Sequence, residues 1–331
     1  MPITSTEVSV KENPISTLLK VKRDGNPLRE HGHVSPLIGK LGPLDPEALD
    51  RFVAIASPRL PRPRGPVLVI GLTESSLVLA WWLAKRLPEA TLAFSSREGA
   101  GRPSARSFKE PHSHAPDHSL IIPPRRFGEV VIVEDEITTG TTLKNLILSL
   151  GDLCDHFVIL TLSDLREGEN AGLLEKDEKG LFVSVIDLSL SGEAKENDFD
   201  LRAPSEAKKT PFNPFGRSES TFLSVLGGLR RIEDLGCIYA IGECLDLPLA
   251  FHDEKAVPIH HVTRSPWLVD GEAILGRLEL EGNPRHFLYN WQKPNPPVAA
   301  IVGNESTADI AEALRCFLAS NGIQTHVLNA S

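Results

Sequence analysis

The stretch VVIVEDEITTGTT, Val130 to Thr142, constrains this chain more than any other. Four β-branched apolar residues run into two adjacent acids, and a Thr/Gly tract then precedes the helical pattern LKNLILSL. A short continuous apolar run of this kind, Val130 to Val133, reads as a buried strand of a parallel sheet, and in such sheets ligands sit beyond the carboxyl ends of the strands. Glu134 and Asp135 fall at that end. Gly140 reaches backbone angles closed to other residues, and Thr138, Thr139, Thr141 and Thr142 place hydroxyls around it. The amides that open the following helix are unpaired and partly positive, which suits a phosphate. The two carboxylates cannot also bind phosphate; they accept hydrogen bonds from sugar hydroxyls or help hold a hydrated magnesium ion. One site of this design grips a ribose by its diol and its phosphate together.

The rest of the chain supplies a frame for that site. PLDPEALDRFVAIA reads as a short helix started by Asp45 and Pro46. Val67 to Ile70 is a second apolar strand, and the turn GLTESS leads from it into the helical LVLAWWLAKRL. TLAFSSR follows as a strand, and Glu98 to Arg126 shows no periodicity, which inside a compact domain marks a functional loop. FVILTLSDL and LFVSVIDLSL are further strands. From Ser191 to Lys209 the composition turns polar and charged, as in a linker. Beyond it CIYAIGECLDLPLAF and VAAIVGNESTADIAEALRCFLASNG each repeat the strand, loop, helix plan. The expected division is therefore a first α/β domain at 1–195, a linker at 196–211 and a smaller α/β domain at 212–331.

With 331 residues, 41% of them hydrophobic, the chain can build two cores. A net charge of −9 argues against nucleic acid or an anionic membrane as the main partner. No apolar run approaches the length of a membrane span, and the first residues lack a signal peptide's basic start and apolar core, so a cytoplasmic location is expected. Cys154, Cys237, Cys244 and Cys316 show neither pairing nor zinc spacing and read as buried free thiols.

The thirteen residues from Val130 resemble the ribose-phosphate signature of type I phosphoribosyltransferases: four apolar residues, two acids and a T-T-G-x-T/S loop. Glu136 departs from it, standing where a small or apolar residue is commoner, as does Thr141 where Gly or Ala is usual. The resemblance implies a parallel-sheet domain with a flexible hood, PRPP as donor, magnesium bound with it, a base-like acceptor and a homodimer. It places Glu134 and Asp135 on the ribose diol, with magnesium held indirectly, and Thr138 to Thr142 on the 5-phosphate. The turn of Gly71, Leu72, Thr73, Glu74 and Ser75 then holds the diphosphate, with Glu74 an unexpected charge suited to magnesium. A bare connection capped by Thr73 or Ser75 is the plainer reading of that turn. Arg97, at a strand's end, offers paired contacts to diphosphate oxygens. His112, His114 and His118 ride on the hood as acid/base or phosphate-binding groups, a solvated loop being the alternative. Asp164 and Arg166 lie where orotate-type relatives recognise the acceptor. Non-catalytic nucleotide-sensing regulators share this fold and are the rival reading.

Thr263-Arg264-Ser265-Pro266, with EPHSHAPDHSL, Gly242-Glu243 and Tyr289-Asn290, is similar to a bacterial branch in which such a domain is fused to a T-R-S-P domain. That branch belongs to biosynthetic operons of tellurite resistance and stress response, which makes other enzymes of such an operon expected partners. A cation beside two hydroxyls at Thr263, Arg264 and Ser265 suits a phosphate or carboxylate, with Glu243 and Asn290 completing the pocket; a structural surface turn explains the same residues equally well. If Asp135 binds a sugar diol, Asp135→Asn leaves folding nearly intact and weakens PRPP binding by about 1.5–3 kcal/mol, measured by calorimetry.

Overall fold

The computed structural model describes residues 18–25, 30–98, 105–109, 117–174, 180–189 and 212–331. An antiparallel pair, β1 (Leu19–Lys22) and β2 (His31–Val34), precedes α1 (Pro46–Ala56), whose first turn is capped by the Asp45 carboxylate accepting from the Ala48 amide. Next come β3 (Val67–Gly71), α2 (Leu77–Arg86) and β4 (Thr91–Phe94). A second antiparallel pair, β5 (Ala105–Lys109) and β6 (Asp117–Ile121), leads to β7 (Glu129–Ile137), α3 (Thr141–Leu150), β8 (His156–Asp164) and β9 (Phe182–Asp187). The later part contributes α4 (Glu219–Arg230), β10 (Cys237–Ile241), α5 (Asp246–Lys255) and β11 (Ile259–Val262). A third antiparallel pair, β12 (Arg277–Leu280) and β13 (His286–Tyr289), is followed by β14 (Val298–Gly303), α6 (Ala308–Ser320) and β15 (Gln324–Asn329).

Two parallel sheets result, one ordered β4-β3-β7-β8-β9 and the other β11-β10-β14-β15. Side chains alternate across each strand. Val67, Val69, Val131 and Val133 join a core with α1 and α2, whereas Leu68, Ile70, Val130 and Ile132 join one with α3, Phe108 and Leu120. In the second sheet Tyr239 and Ile301 pack with α6, while Ile238, Ala240, Ala300 and Val302 enter the same core as α1 and α2. One continuous apolar layer thus lies between the sheets. At its centre Trp81 is fully buried, meets Phe212 edge-on at 5.4 Å and donates its Nε1–H to Asp253 at 3.1 Å. Such an aromatic pair adds about 0.5–1.5 kcal/mol to the burial itself.

The N-terminal segment also crosses between the sheets. His261 donates its amide to the Gly39 carbonyl and Leu44 donates to the Ile259 carbonyl, so residues 39–44 cover the edge strand β11. Lys22 and Asp24 exchange backbone bonds with Leu268 and Pro266. The expected linker lies outside the described residues.

Three expectations change. The stretch from Glu98 to Arg126, read as aperiodic, contains the β5–β6 pair, whose short strands bury few side chains, Phe108 and Leu120 among them. The signature strand runs to Ile137 rather than ending at the acids, because its polar end pairs with an equally polar end of β8, Glu134 with Thr161 and Glu136 with Ser163. Cys154, Cys237 and Cys244 are buried free thiols, but Cys316 is exposed on α6. Among the described residues no helix is long and apolar enough to cross a membrane.

The second sheet buries two adjacent histidines. Burial pushes His260 down to about 3 and His261 down to about 4. Both are neutral when folded, while the unfolded chain takes up protons below about pH 6.5, so stability falls as pH drops from about 6.5 towards 4. Melting temperatures between pH 7 and 4.5 check this, and His260→Phe flattens the slope.

Candidate active site

The carboxyl ends of β3 and β7 and the Thr263–Pro266 segment enclose a cleft of about 610 Å³. Leu72, Thr73, Glu74, Ser75, Arg97, Glu134, Asp135, Thr138, Thr139, Gly140, Thr142, Arg264 and Ser265 all line it. Gly140 adopts φ +82 at the start of α3, where added side-chain atoms would meet Leu174 and Arg166 at 3.2–3.3 Å. A tight loop of threonines is thereby held against the helix's open amides. Ser76 donates to Glu134 at 3.0 Å, which ties the acidic pair to the turn after β3.

Glu74 is the electrostatic centre. It is 5% exposed, accepts from the Thr263 hydroxyl at 2.6 Å and from the Arg264 amide at 3.3 Å, and lies 3.9–4.0 Å from the Lys40, Arg97 and Arg264 cations. Burial alone raises its pKa, but the charges of Lys40 and Arg97 and the Thr263 hydrogen bond outweigh that and hold the carboxyl far below the usual range. Lys40, itself buried, donates to Ser75 at 2.9 Å and Ser265 at 3.1 Å; burial lowers its pKa, and Glu74 and Asp135 oppose the fall. Three cations thus surround one carboxylate.

Arg97 donates to the Thr73 carbonyl at 3.2 Å and to His118 at 3.4 Å. Its own amide is held by Glu243 at 2.8 Å, and Glu243 also accepts from Ser96 at 2.7 Å. Burial raises the Glu243 pKa against those two donors. Glu98 binds Arg264, Ser306 and Asn304, fastening the segment after β4 to the turn before α6.

Several expected residues are also bonded within the frame. Glu74 is engaged through Oε2 by Thr263 and Arg264 and lies beside Lys40. Gly71 does not line the cleft; a side chain there would strike Ala80, Ser76 and Phe94. Thr141 turns its amide to Thr139. Asp164 and Arg166 stand outside the cleft and grip one another through two oxygens, at 2.9 and 2.7 Å, because a carboxylate two residues before an arginine closes a local turn. Gly242, at φ +56, gives its carbonyl to His261, and Glu243 orients Arg97. Asn290 stays out of the cleft: its side chain bonds the Leu275 and Gly276 amides and the Leu41 and Ala273 carbonyls. His112 and His114 lie outside the described residues. Sequence reading missed Lys40 altogether, since a lone lysine between Gly39 and Leu41 carries no signal. Arg23, His33 and Trp267 also line the cleft and were equally silent.

A parallel sheet whose strand ends present an acidic pair, a threonine loop and clustered cations defines a protein built for a phosphorylated sugar. The chain belongs to the phosphoribosyl transferase family, whose model matches residues 18–192, more than half of its length. It is accordingly an enzyme of the phosphoribosyltransferase class. Among solved structures it is similar to adenine phosphoribosyltransferase from Thermoanaerobacter pseudethanolicus, at 14% identity over 51% of this chain and 94% of that one, with a TM-score of 0.39. It is also similar to the orotate enzyme of Aeropyrum pernix, at 22% identity over 47% and 78%, with a TM-score of 0.33. A search of the curated proteins found no match.

Glu74→Gln leaves Lys40 buried without its counter-charge and is expected to cost about 3–5 kcal/mol of stability, read as a lowered denaturation midpoint.

Proposed function

We propose that the enzyme transfers the 5-phosphoribosyl group of PRPP to a base-like nitrogen acceptor, with magnesium, in a nucleotide-like biosynthetic pathway. One observation carries the reading: the acidic pair and the threonine loop line the same cleft as the Leu72–Ser75 turn and Arg97. Glu134 and Asp135 accept from the ribose diol, and Thr138 to Thr142 hold the 5-phosphate. Leu72 to Ser75, Arg97 and Lys40 receive the diphosphate. The bond from carbon 1 to the diphosphate oxygen breaks, the acceptor nitrogen then bonds to carbon 1, and the nitrogen's proton passes to the departing diphosphate or to solvent. The negative charge of the acidic pair favours the cationic sugar formed between these events, so orientation and charge supply the rate.

No group of three His, Cys, Asp or Glu among the described residues can hold a metal by itself. Two adjacent carboxylates suit a hydrated magnesium ion, which would supply positive charge to offset that of the departing group. Glu134 and Asp135 would hold it.

We read the second unit as the T-R-S-P domain of tellurite-resistance and stress-response operons, on the motif Thr263 to Pro266. Its Arg264, 20% exposed and lining the cleft, binds an anionic group of a ligand. The experiment is incubation with PRPP, magnesium and a metabolite extract, following diphosphate release and new ribosylated masses; PRPP hydrolysis without a ribosylated product would defeat the proposal. Arg264→Ala should weaken ligand binding by about 1.5–3 kcal/mol with little change in melting temperature. Equal affinity with a lowered melting point would make the motif structural.

A further inference from the structure

A second cavity lies where the later sheet changes direction. From β10 the chain passes through α5 to β11 on one side, and from β14 through α6 to β15 on the other. The two helices pack on opposite faces, α5 in the core shared with α1 and α2, and α6 in the core beneath Tyr239 and Ile301. In open parallel sheets, ligands sit outside the carboxyl ends of the strands at such a reversal. Here Glu243 follows β10, and Asn304, Glu305 and Ser306 follow β14; all four line a cavity of about 430 Å³. Ser96, Glu98 and Ser119 of the first unit close it together with Arg217. Among the described residues none lines both this cavity and the cleft.

The wall of this cavity is rich in acceptors and poor in donors. Ser96 donates to Glu243 at 2.7 Å, Ser119 to the Ser96 carbonyl at 3.3 Å and Ser306 to Glu98 at 2.9 Å, so these hydroxyls leave lone pairs rather than protons for a ligand. Arg217 grips Asp246 at 2.7 and 3.0 Å. The nearby helix openings are capped from within, the Ser218 hydroxyl accepting from the Thr221 amide and the Ser331 hydroxyl from the Glu305 amide. The Glu305 carboxylate itself has no hydrogen bond or ion pair among the described residues. Charge points the same way. Glu98, Glu243, Glu305 and Asp246 stand against Arg217 and Arg264, while Glu74 and Arg97 behind this wall offset each other. Burial raises the Glu243 pKa, yet with that carboxyl neutral the balance is still negative. No three acids among the described residues stand close enough to hold one metal ion. Carboxylates set apart in this way suit a longer cation with N–H groups at both ends.

We propose that this cavity is a second ligand site, and that it binds a small organic cation of the diamine or guanidino-amine class. Glu98 and Glu305 receive the charged ends, and the Ser96, Ser119 and Ser306 oxygens accept from the N–H groups between them. A phosphate or carboxylate would meet an excess of negative charge and few free donors. The site does not depend on the phosphoribosyl-transfer reading of the cleft. Because Glu98 also holds Arg264, a residue of the cleft wall, an occupant here is one bond away from the cleft.

The test is calorimetry on the full chain with putrescine, agmatine and spermidine, beside ribose and inorganic phosphate. Salt is held at about 0.15 M to screen diffuse attraction to an acidic chain. At least one of the three cations should bind about tenfold or more tightly than ribose and phosphate. Glu305→Gln, at an exposed residue, should weaken that binding about threefold, and Glu98→Gln added to it about tenfold, with the melting temperature of Glu305→Gln retained. Glu233→Gln removes the same charge at the other end of β10 and should leave binding unchanged. Failure of all three cations to bind, equal or tighter binding of ribose or phosphate, full affinity in the double variant, or an equal loss in Glu233→Gln would each overturn the site.

Discussion

A carboxylate buried in the turn after the first central strand organises this molecule. Glu74 cannot stay ionised in that position by its own turn alone, because taking a lone charge out of water costs several kcal/mol or more. Its partners come from three separate parts of the chain: Lys40 before the first sheet, Arg97 beyond β4, and Thr263 with Arg264 in the second unit. Desolvation and attraction are both large here. The steep fall of the Glu74 pKa shows that attraction prevails. The three cations it gathers also line the cleft, so the interaction that joins the two sheets also sets the charges at its wall.

The repeating plan was legible in the sequence because it rests on local signals. Val130 to Val133 could scarcely be anything but a buried strand, Asp45-Pro46 opens a helix as expected, and both strand, loop, helix units of the last third are where their apolar runs put them. The acidic pair and the threonine loop could be read together because thirteen consecutive residues carry them. What could not be read depends on distance along the chain. Nothing near Lys40 announces that it meets Ser75 and Ser265, and Glu243 looked like a ligand residue until it was seen to hold the amide of Arg97. The pairing of Asp164 with Arg166 was equally unannounced, although it closes only a local turn. The β5–β6 pair was missed because its short strands are largely polar in sequence, and their buried residues include His118 and Ser119.

The two sheets are also not independent bodies joined by a tether. The apolar layer with Trp81 at its centre draws on helices of both, and polar contacts at its rim, Asp253 to Lys85 among them, fix their relative position. Arg264 touches Glu74 on one side and Glu98 on the other. Any ligand that draws Arg264 away from Glu98 therefore acts on the segment entering β5 and on the start of α6 together.

The backbone bonds of Gly39 and Leu44 to the edge strand β11 carry a consequence for biosynthesis. Residues made early wait for partners made more than two hundred positions later, which at ribosomal speeds is on the order of tens of seconds. Until then an unpaired strand-like segment and a lysine destined for burial are both in water. Contacts this remote in sequence slow folding, because the closure entropy of the whole intervening chain is lost before any of them forms. The first sheet can collapse as soon as β9 is synthesised, but Lys40 reaches its final place only when the last third of the chain arrives.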